Sequence, residues 1–133
     1  MPQNFTLLII DDDEDDKEML FEVVTEMYEG VSLLKASSGA EGLQMLEKME
    51  RLPDYIFLDL NMPRMSGIQC LEFLKSNEEF RSIPVVIYTT SKSAEHEDET
   101  KKLGAAHFIT KPISIKALKK ELEPVFSNHC GIN

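Results

Sequence analysis

Three carboxylates, a hydroxyl and an ammonium stand where short apolar runs of this chain stop. Asp11 and Asp12 close LLIIDD, Asp59 closes IFLD, Thr89 ends VVIYT, and Lys111 follows FIT. If these runs are neighbouring strands, their ends meet and the carboxylates crowd together. At about 5 Å two such charges repel by roughly 3 kcal/mol at an effective dielectric near 20. A cation is then required. Hard oxygen ligands with room left for water suit Mg²⁺, which takes one or two carboxylates and fills its shell with waters and phosphate oxygens. A hydroxyl for a hydrogen bond, an ammonium for oxygen charge and a carboxylate nucleophile together suit a phosphoryl group. Taken singly, Thr89 is a strand-end turn former, Lys111 a surface charge and Asp59 a helix cap; only the set is specific.

Asp11 and Asp12 open a run of six acids that ends at Asp16. Asp13 to Asp16 read as the solvated first turn of a helix, where carboxylates favour the helix dipole by about 0.3–1 kcal/mol each. A calcium loop competes for the same residues, since Asp11, Asp13, Asp15 and Glu22 hold the first, third, fifth and twelfth places of an EF-hand. It fails because Asp16 stands where the loop needs Gly, Glu18 where an apolar residue is usual, and a strand precedes the run.

The elements that must position these groups follow from periodicity. FTLLII (5–10), VSLLKA (31–36), DYIFLD (54–59), PVVIYT (84–89) and AHFIT (106–110) have strand length, and several are apolar on both parities, as strands buried on both faces of a parallel sheet are. Helical stripes separate them: Leu20, Val23, Val24 and Met27; Leu43, Leu46 and Met49; Ile68, Leu71 and Leu74; Ile115, Leu118 and Leu122. Residues 93–104 predict a fourth, poorly anchored helix with only Ala94 and Leu103 apolar. Gly30 and Gly104 mark helix ends, Ser38 and Glu41 form a capping-box pattern, and Pro124 should end or kink the last helix. Alternation of strand and helix five times over predicts an α/β fold, a doubly wound five-stranded parallel sheet with five helices, whose ligands bind beyond the strands' carboxyl ends.

With 24 acids against 14 Lys and Arg, the net charge of −10 argues against nucleic-acid or anionic membrane partners and for proteins and cations. No apolar run approaches the roughly 18 residues of a membrane span, and the N-terminus lacks a signal pattern, so a cytoplasmic location is expected. Cys70 and Cys130 are expected as reduced thiols, and His96 and His107 as surface residues.

The residues DD at 11–12, LDLNMPRMSG with Asp59, YTTS with Thr89 and KP at 111–112 resemble a two-component response-regulator receiver domain of the stand-alone chemotaxis type, over residues 5–126. That resemblance implies a flavodoxin-like sheet of order 2-1-3-4-5. It implies Asp59 as phosphoacceptor, with Asp12, Asp59 and the Asn61 backbone carbonyl on Mg²⁺, Asp11 acting mostly through water, and Thr89 and Lys111 on the phosphoryl oxygens. A cis peptide before Pro112 comes with the same pattern. Two departures stand out: Phe108 replaces a switch tyrosine, and Ser91 is shorter than the acidic or amide side chain that can reach toward the phosphoryl group.

The expected role is that of a phosphorelay component, not an enzyme apart from slow self-dephosphorylation. It would take a phosphoryl group from a sensor histidine kinase or phosphotransfer protein, then act on an unknown downstream protein or as a phosphate sink. A homodimer through the fourth helix, fifth strand and fifth helix would fit the acidic 95–99 segment and the basic Lys116, Lys119 and Lys120. Residues 127–133 are expected as a short tail, with no output domain. The rival is a metal-dependent phosphohydrolase with an Asp nucleophile, which wants an acid two residues after Asp59; Asn61 stands there.

Overall fold

Five βα units follow one another: β1 (Phe5–Ile10), α1 (Glu14–Met27), β2 (Val31–Ala36), α2 (Gly39–Lys48), β3 (Tyr55–Leu58), α3 (Gly67–Ser76), β4 (Val85–Thr89), α4 (Ala94–Lys102), β5 (His107–Thr110) and α5 (Ile115–Cys130). The computed structural model describes residues 5–130, with side chains through residue 127. Every strand pairing is parallel and the order is β2-β1-β3-β4-β5, as the resemblance implied.

Alternating side chains split the core into two layers. Leu7, Ile9, Phe57, Val86, Tyr88 and Ile109 face α1 and α5, where Leu20, Val23, Val24, Leu118, Leu122 and Phe126 meet them. Leu8, Ile10, Ile56, Leu58, Val85 and Ile87 face the other way, onto Leu46 of α2 and Cys70, Leu71 and Leu74 of α3. Cys70 is a buried free thiol, and the Cys130 side chain lies outside those described. Helix ends obey local chemistry. Gly30 and Gly104 adopt φ of 77° and 107°, a left-handed conformation that costs glycine little, and α4 is poorly anchored as expected, although its one buried residue is Thr100 and not an apolar one.

Three expectations change. Of the two outcomes expected at Pro124, an end or a kink, the helix does not end there: α5 runs through it to Cys130, so residues 127–130 of the expected tail are helical. An interior proline costs about 3 kcal/mol, but Pro124 points outward while Val125 and Phe126 are buried just past it, and burial of two such side chains returns about 1.5–3 kcal/mol each. Phe126 sits among Phe5, Tyr28, Tyr55 and Phe57 at centroid distances of 5.0–6.0 Å. Ile115, placed on the buried stripe by periodicity, is 49% exposed because it starts α5 beyond the sheet edge. The peptide before Pro112 is trans, since no described peptide is cis; trans is the lower isomer of an X–Pro bond by about 0.5–1 kcal/mol.

Candidate functional site

The hydrogen-bond ladder continues past the strand ends and fixes the polar residues there. Asp11 N donates to Ala36 O at 3.0 Å, Asp59 N to Ile10 O at 3.0 Å, and Lys111 N to Thr89 O at 2.7 Å. Asp11 is thereby tied to β2, Asp59 to β1 and Lys111 to β4. These are rigid placements. Asp11 and Thr89 are fully buried and Asp59 nearly so, whereas the Asp12 carboxylate is exposed.

A carboxylate oxygen from each of Asp11, Asp12 and Asp59 lies within 4.8 Å of the other two. Asp11 Oδ1 accepts from Asp13 N at 2.9 Å. Its buried Oδ2 accepts no aligned hydrogen bond among the described residues, although Lys111 Nζ is 2.8 Å away. An under-satisfied carboxylate oxygen beside two further carboxylates is the donor set a hard divalent cation wants, so the residues present fit such an ion. Burial pushes the Asp11 carboxyl up from 3.8 to about 6, with the Asp59 charge adding to the rise and the Lys111 ammonium and Asp13 amide opposing it.

Lys111 is the cation facing this group. Its ammonium lies 2.6 Å from Asp16 Oδ2, 2.8 Å from Asp11 Oδ2 and 3.4 Å from Asp59 Oδ2, with the Tyr88 ring centroid at 5.5 Å. Burial alone would pull its pKa down, but the Asp11 and Asp16 carboxylates outweigh burial and raise it above the ordinary lysine value. Asn61 N donates to Asp59 Oδ1 at 3.2 Å, and its side-chain Nδ2 donates to Thr89 Oγ1 and Thr90 Oγ1 at 3.4 and 3.3 Å. Acceptor candidate, hydroxyl and amide thus form one connected patch.

A family model of the response regulator receiver domain matches residues 7–123. The chain belongs to this family. Receiver domains are phosphoacceptor signalling modules that partner with histidine kinases. The receiver is 29% identical over 110 residues to the polar-differentiation response regulator DivK of Brucella ovis, covering 83% of this chain and 86% of that protein. It is also 29% identical over 113 residues to the sensor histidine kinase CheAY of Helicobacter pylori, covering 85% of this chain but only 14% of that protein. The crystal structure of Vibrio cholerae chemotaxis protein CheY4 superposes with a TM-score of 0.78 at 27% identity, covering 92% of this chain and 98% of that one.

All six residues singled out from sequence, Asp11, Asp12, Asp59, Asn61, Thr89 and Lys111, gather at this edge. Others go unread in the sequence. Asp16 reads as solvated with the rest of its run, yet it makes the shortest contact to Lys111. Lys17, also in α1, is buried and bonds Glu14 Oε2 at 2.9 Å and Ser37 Oγ at 2.7 Å, tying α1 to the turn after β2. His96, expected on the surface, is half-buried, with Nδ1 2.7 Å from Ser91 Oγ. That pairing is not visible from the pattern of its own helix, because Ser91 lies in the loop before it. His107 is exposed, as expected.

Proposed function

We propose that this receiver takes a phosphoryl group onto Asp59 from a phosphohistidine on a kinase or phosphotransfer protein, with Mg²⁺ held by Asp11, Asp12, Asp59 and the Asn61 carbonyl. The observation carrying this reading is the meeting of three carboxylate oxygens within 4.8 Å beside one lysine ammonium at the carboxyl edge of the sheet. An Asp59 oxygen forms the new O–P bond as the donor's P–N bond breaks. The electron pair leaves with the imidazole nitrogen. When bound, Mg²⁺ would neutralise charge on the transferring phosphoryl oxygens. Thr89 Oγ1 would donate a hydrogen bond to one of those oxygens and Lys111 would balance the charge of another. Labelling by a small phosphodonor should require Mg²⁺ and fall sharply in Asp12→Ala; equal labelling in chelator would sink this reading.

A phosphohydrolase would need an acid two residues past Asp59. The amide of Asn61 there is engaged by Thr89 and Thr90.

Ser91 bears on how long the phosphoryl group stays. Its Oγ is 2.7 Å from His96 Nδ1 and accepts from Ser93 N at 3.2 Å, so the hydroxyl is committed to the start of α4. An attacking water then has Asn61 to orient it and nothing from Ser91. Ser91→Glu is expected to shorten the phosphoryl lifetime by about three- to tenfold, a fraction of the ~10²-fold that one positioned group can supply. Radiolabel decay in the two proteins measures it, and equal decay rates would contradict the account.

Output would leave through α4, β5 and α5, to a downstream protein or a second copy. Phe108 is half-buried and lines a cavity of about 240 Å³ with Thr100 and Lys101 of α4, leaving space for its ring to move when Thr89 is drawn toward a phosphoryl group. The charge contrast expected there is smaller than composition suggests, because Lys119 pairs with Glu26 of α1 and Lys102 with Asp98 within α4.

A further inference from the structure

Asp16 recurs with Leu20 and Val23 at i, i+4 and i+7 of α1, and both of those residues are buried. A carboxylate therefore occupies the helix stripe that faces the sheet, a costly place for charge unless it is paired. Its pairing is specific. Asp16 Oδ2 lies 2.6 Å from Lys111 Nζ, nearer than Asp11 at 2.8 Å or Asp59 at 3.4 Å. The acid is itself well held, since it sits in the first turn of α1 and its backbone N donates to Asp13 Oδ1 at 3.0 Å.

An ammonium has three N–H donors, and here three carboxylates surround it. Lysine also loses much rotamer freedom when fixed in one place. Asp11 cannot serve as a constant anchor, because its oxygen belongs to the group that suits a cation and would turn toward one. Asp59 cannot, because it is the acceptor. Asp16 lies outside the cation-binding trio, so neither a bound cation nor a phosphoryl group on Asp59 would compete directly for its contact with Lys111.

We propose that Asp16 is a positioning residue for phosphoryl transfer, holding one N–H of Lys111 so that another stays aimed at Asp59 and at the oxygens of the phosphoryl group arriving there. The role rests on the reading of Asp59 as acceptor. Asp16 touches neither donor nor acceptor; it acts through Lys111. It differs from a general contribution of negative charge to cation binding, which would persist with Lys111 removed.

The test is a double-mutant cycle on labelling by acetyl phosphate at saturating Mg²⁺, using wild type, Asp16→Asn, Lys111→Ala and the double variant. With Lys111 present, Asp16→Asn should slow labelling about tenfold through the rate constant, with donor half-saturation and Mg²⁺ affinity little changed. In the Lys111→Ala background the same change should alter the rate by less than about twofold. Asp16→Glu should recover part of the loss, and Asp16→Ser serves if the Asn variant folds poorly. As a second readout, acylation of the Lys111 amine by acetic anhydride, mapped by peptide mass, should be several-fold faster in Asp16→Asn than in wild type. Equal slowing in both Lys111 backgrounds, or no slowing with Lys111 present, would overturn the positioning role while wild type still labels. Failure of wild type to label would overturn the acceptor reading and this role with it.

Discussion

Asp11→Asn should make the metal-free receiver more stable at neutral pH by about 3 kcal/mol while weakening its hold on a divalent cation. Burial raises the Asp11 carboxyl from 3.8 to about 6, and each pH unit between the unfolded and folded values is worth about 1.4 kcal/mol. Between those two values the folded chain binds a proton that the unfolded chain has lost. Stability from this group is therefore fullest below the unfolded value and declines as pH rises through the folded one. Asparagine carries no charge to bury, so the decline should vanish in the variant. Urea unfolding in chelator at several pH values would show the two proteins close near pH 4 and separated by about 3 kcal/mol above pH 7. A stability difference that does not grow with pH would mean the Asp11 carboxylate is not strained by its burial. On this expectation, the same crowding of charge that suits a cation would cost the free receiver stability.

Gly67→Ala should damage both the fold and the placement of Asp59, the proposed acceptor. A Cβ at Gly67 would lie 2.3 Å from the Asp59 carbonyl oxygen and 2.5 Å from the Leu60 Cα, and both partners are backbone. Neither can swing aside as a side chain can. Gly67 starts α3 and its N–H donates to Leu60 O at 3.1 Å, so the helix start is pressed against the segment that carries Asp59. Overpacking of this kind costs about 1–3 kcal/mol, and if Asp59 is the acceptor, its displacement by about 1 Å can cost up to ~10²-fold in rate. Gly42→Ala is the contrast, because its Cβ would meet only the Ile10 side chain, with Cδ1 and Cγ1 at 2.6 and 2.8 Å, atoms that can move. Unfolding and labelling rates of the two variants measure the difference. Wild-type behaviour in Gly67→Ala would show that the loop after β3 is free to shift.

Strand ends carry most of what can be read in advance. Runs such as DYIFLD are apolar on both faces and turn polar where pairing ends, so the pattern that marks a buried parallel strand also marks where its functional residue stands. Asp16 escapes because it reads with its acidic neighbours and not with Leu20 and Val23, whose spacing it shares. Pro124 does not stop α5, one of the two outcomes that local propensity allowed beside a kink, because Phe126 just beyond it is held by rings such as Phe57 that lie far away in sequence and across the core in space. Ser38 caps α2 as expected, accepting from Glu41 N at 3.1 Å, yet the Glu41 carboxylate accepts from Ser37 N and not from Ser38. The reciprocal capping box is at Ser66 and Gln69 of α3, a Gln variant of the pattern that the Glu at position 41 overshadows. Ion pairs such as Lys111 to Asp16 join residues far apart in sequence, and no local pattern around Lys111 announces them.

Asp59, among the carboxylates crowded at this edge, is the one expected to form the acyl phosphate. Borohydride reduces an acyl phosphate on aspartate to homoserine, so phosphodonor-treated receiver, reduced and mapped by peptide mass, identifies the acceptor directly. Homoserine should appear at position 59 alone, with none in Asp59→Asn; homoserine at Asp11, Asp12 or Asp16 in the wild-type receiver would show that Asp59 is not the sole acceptor.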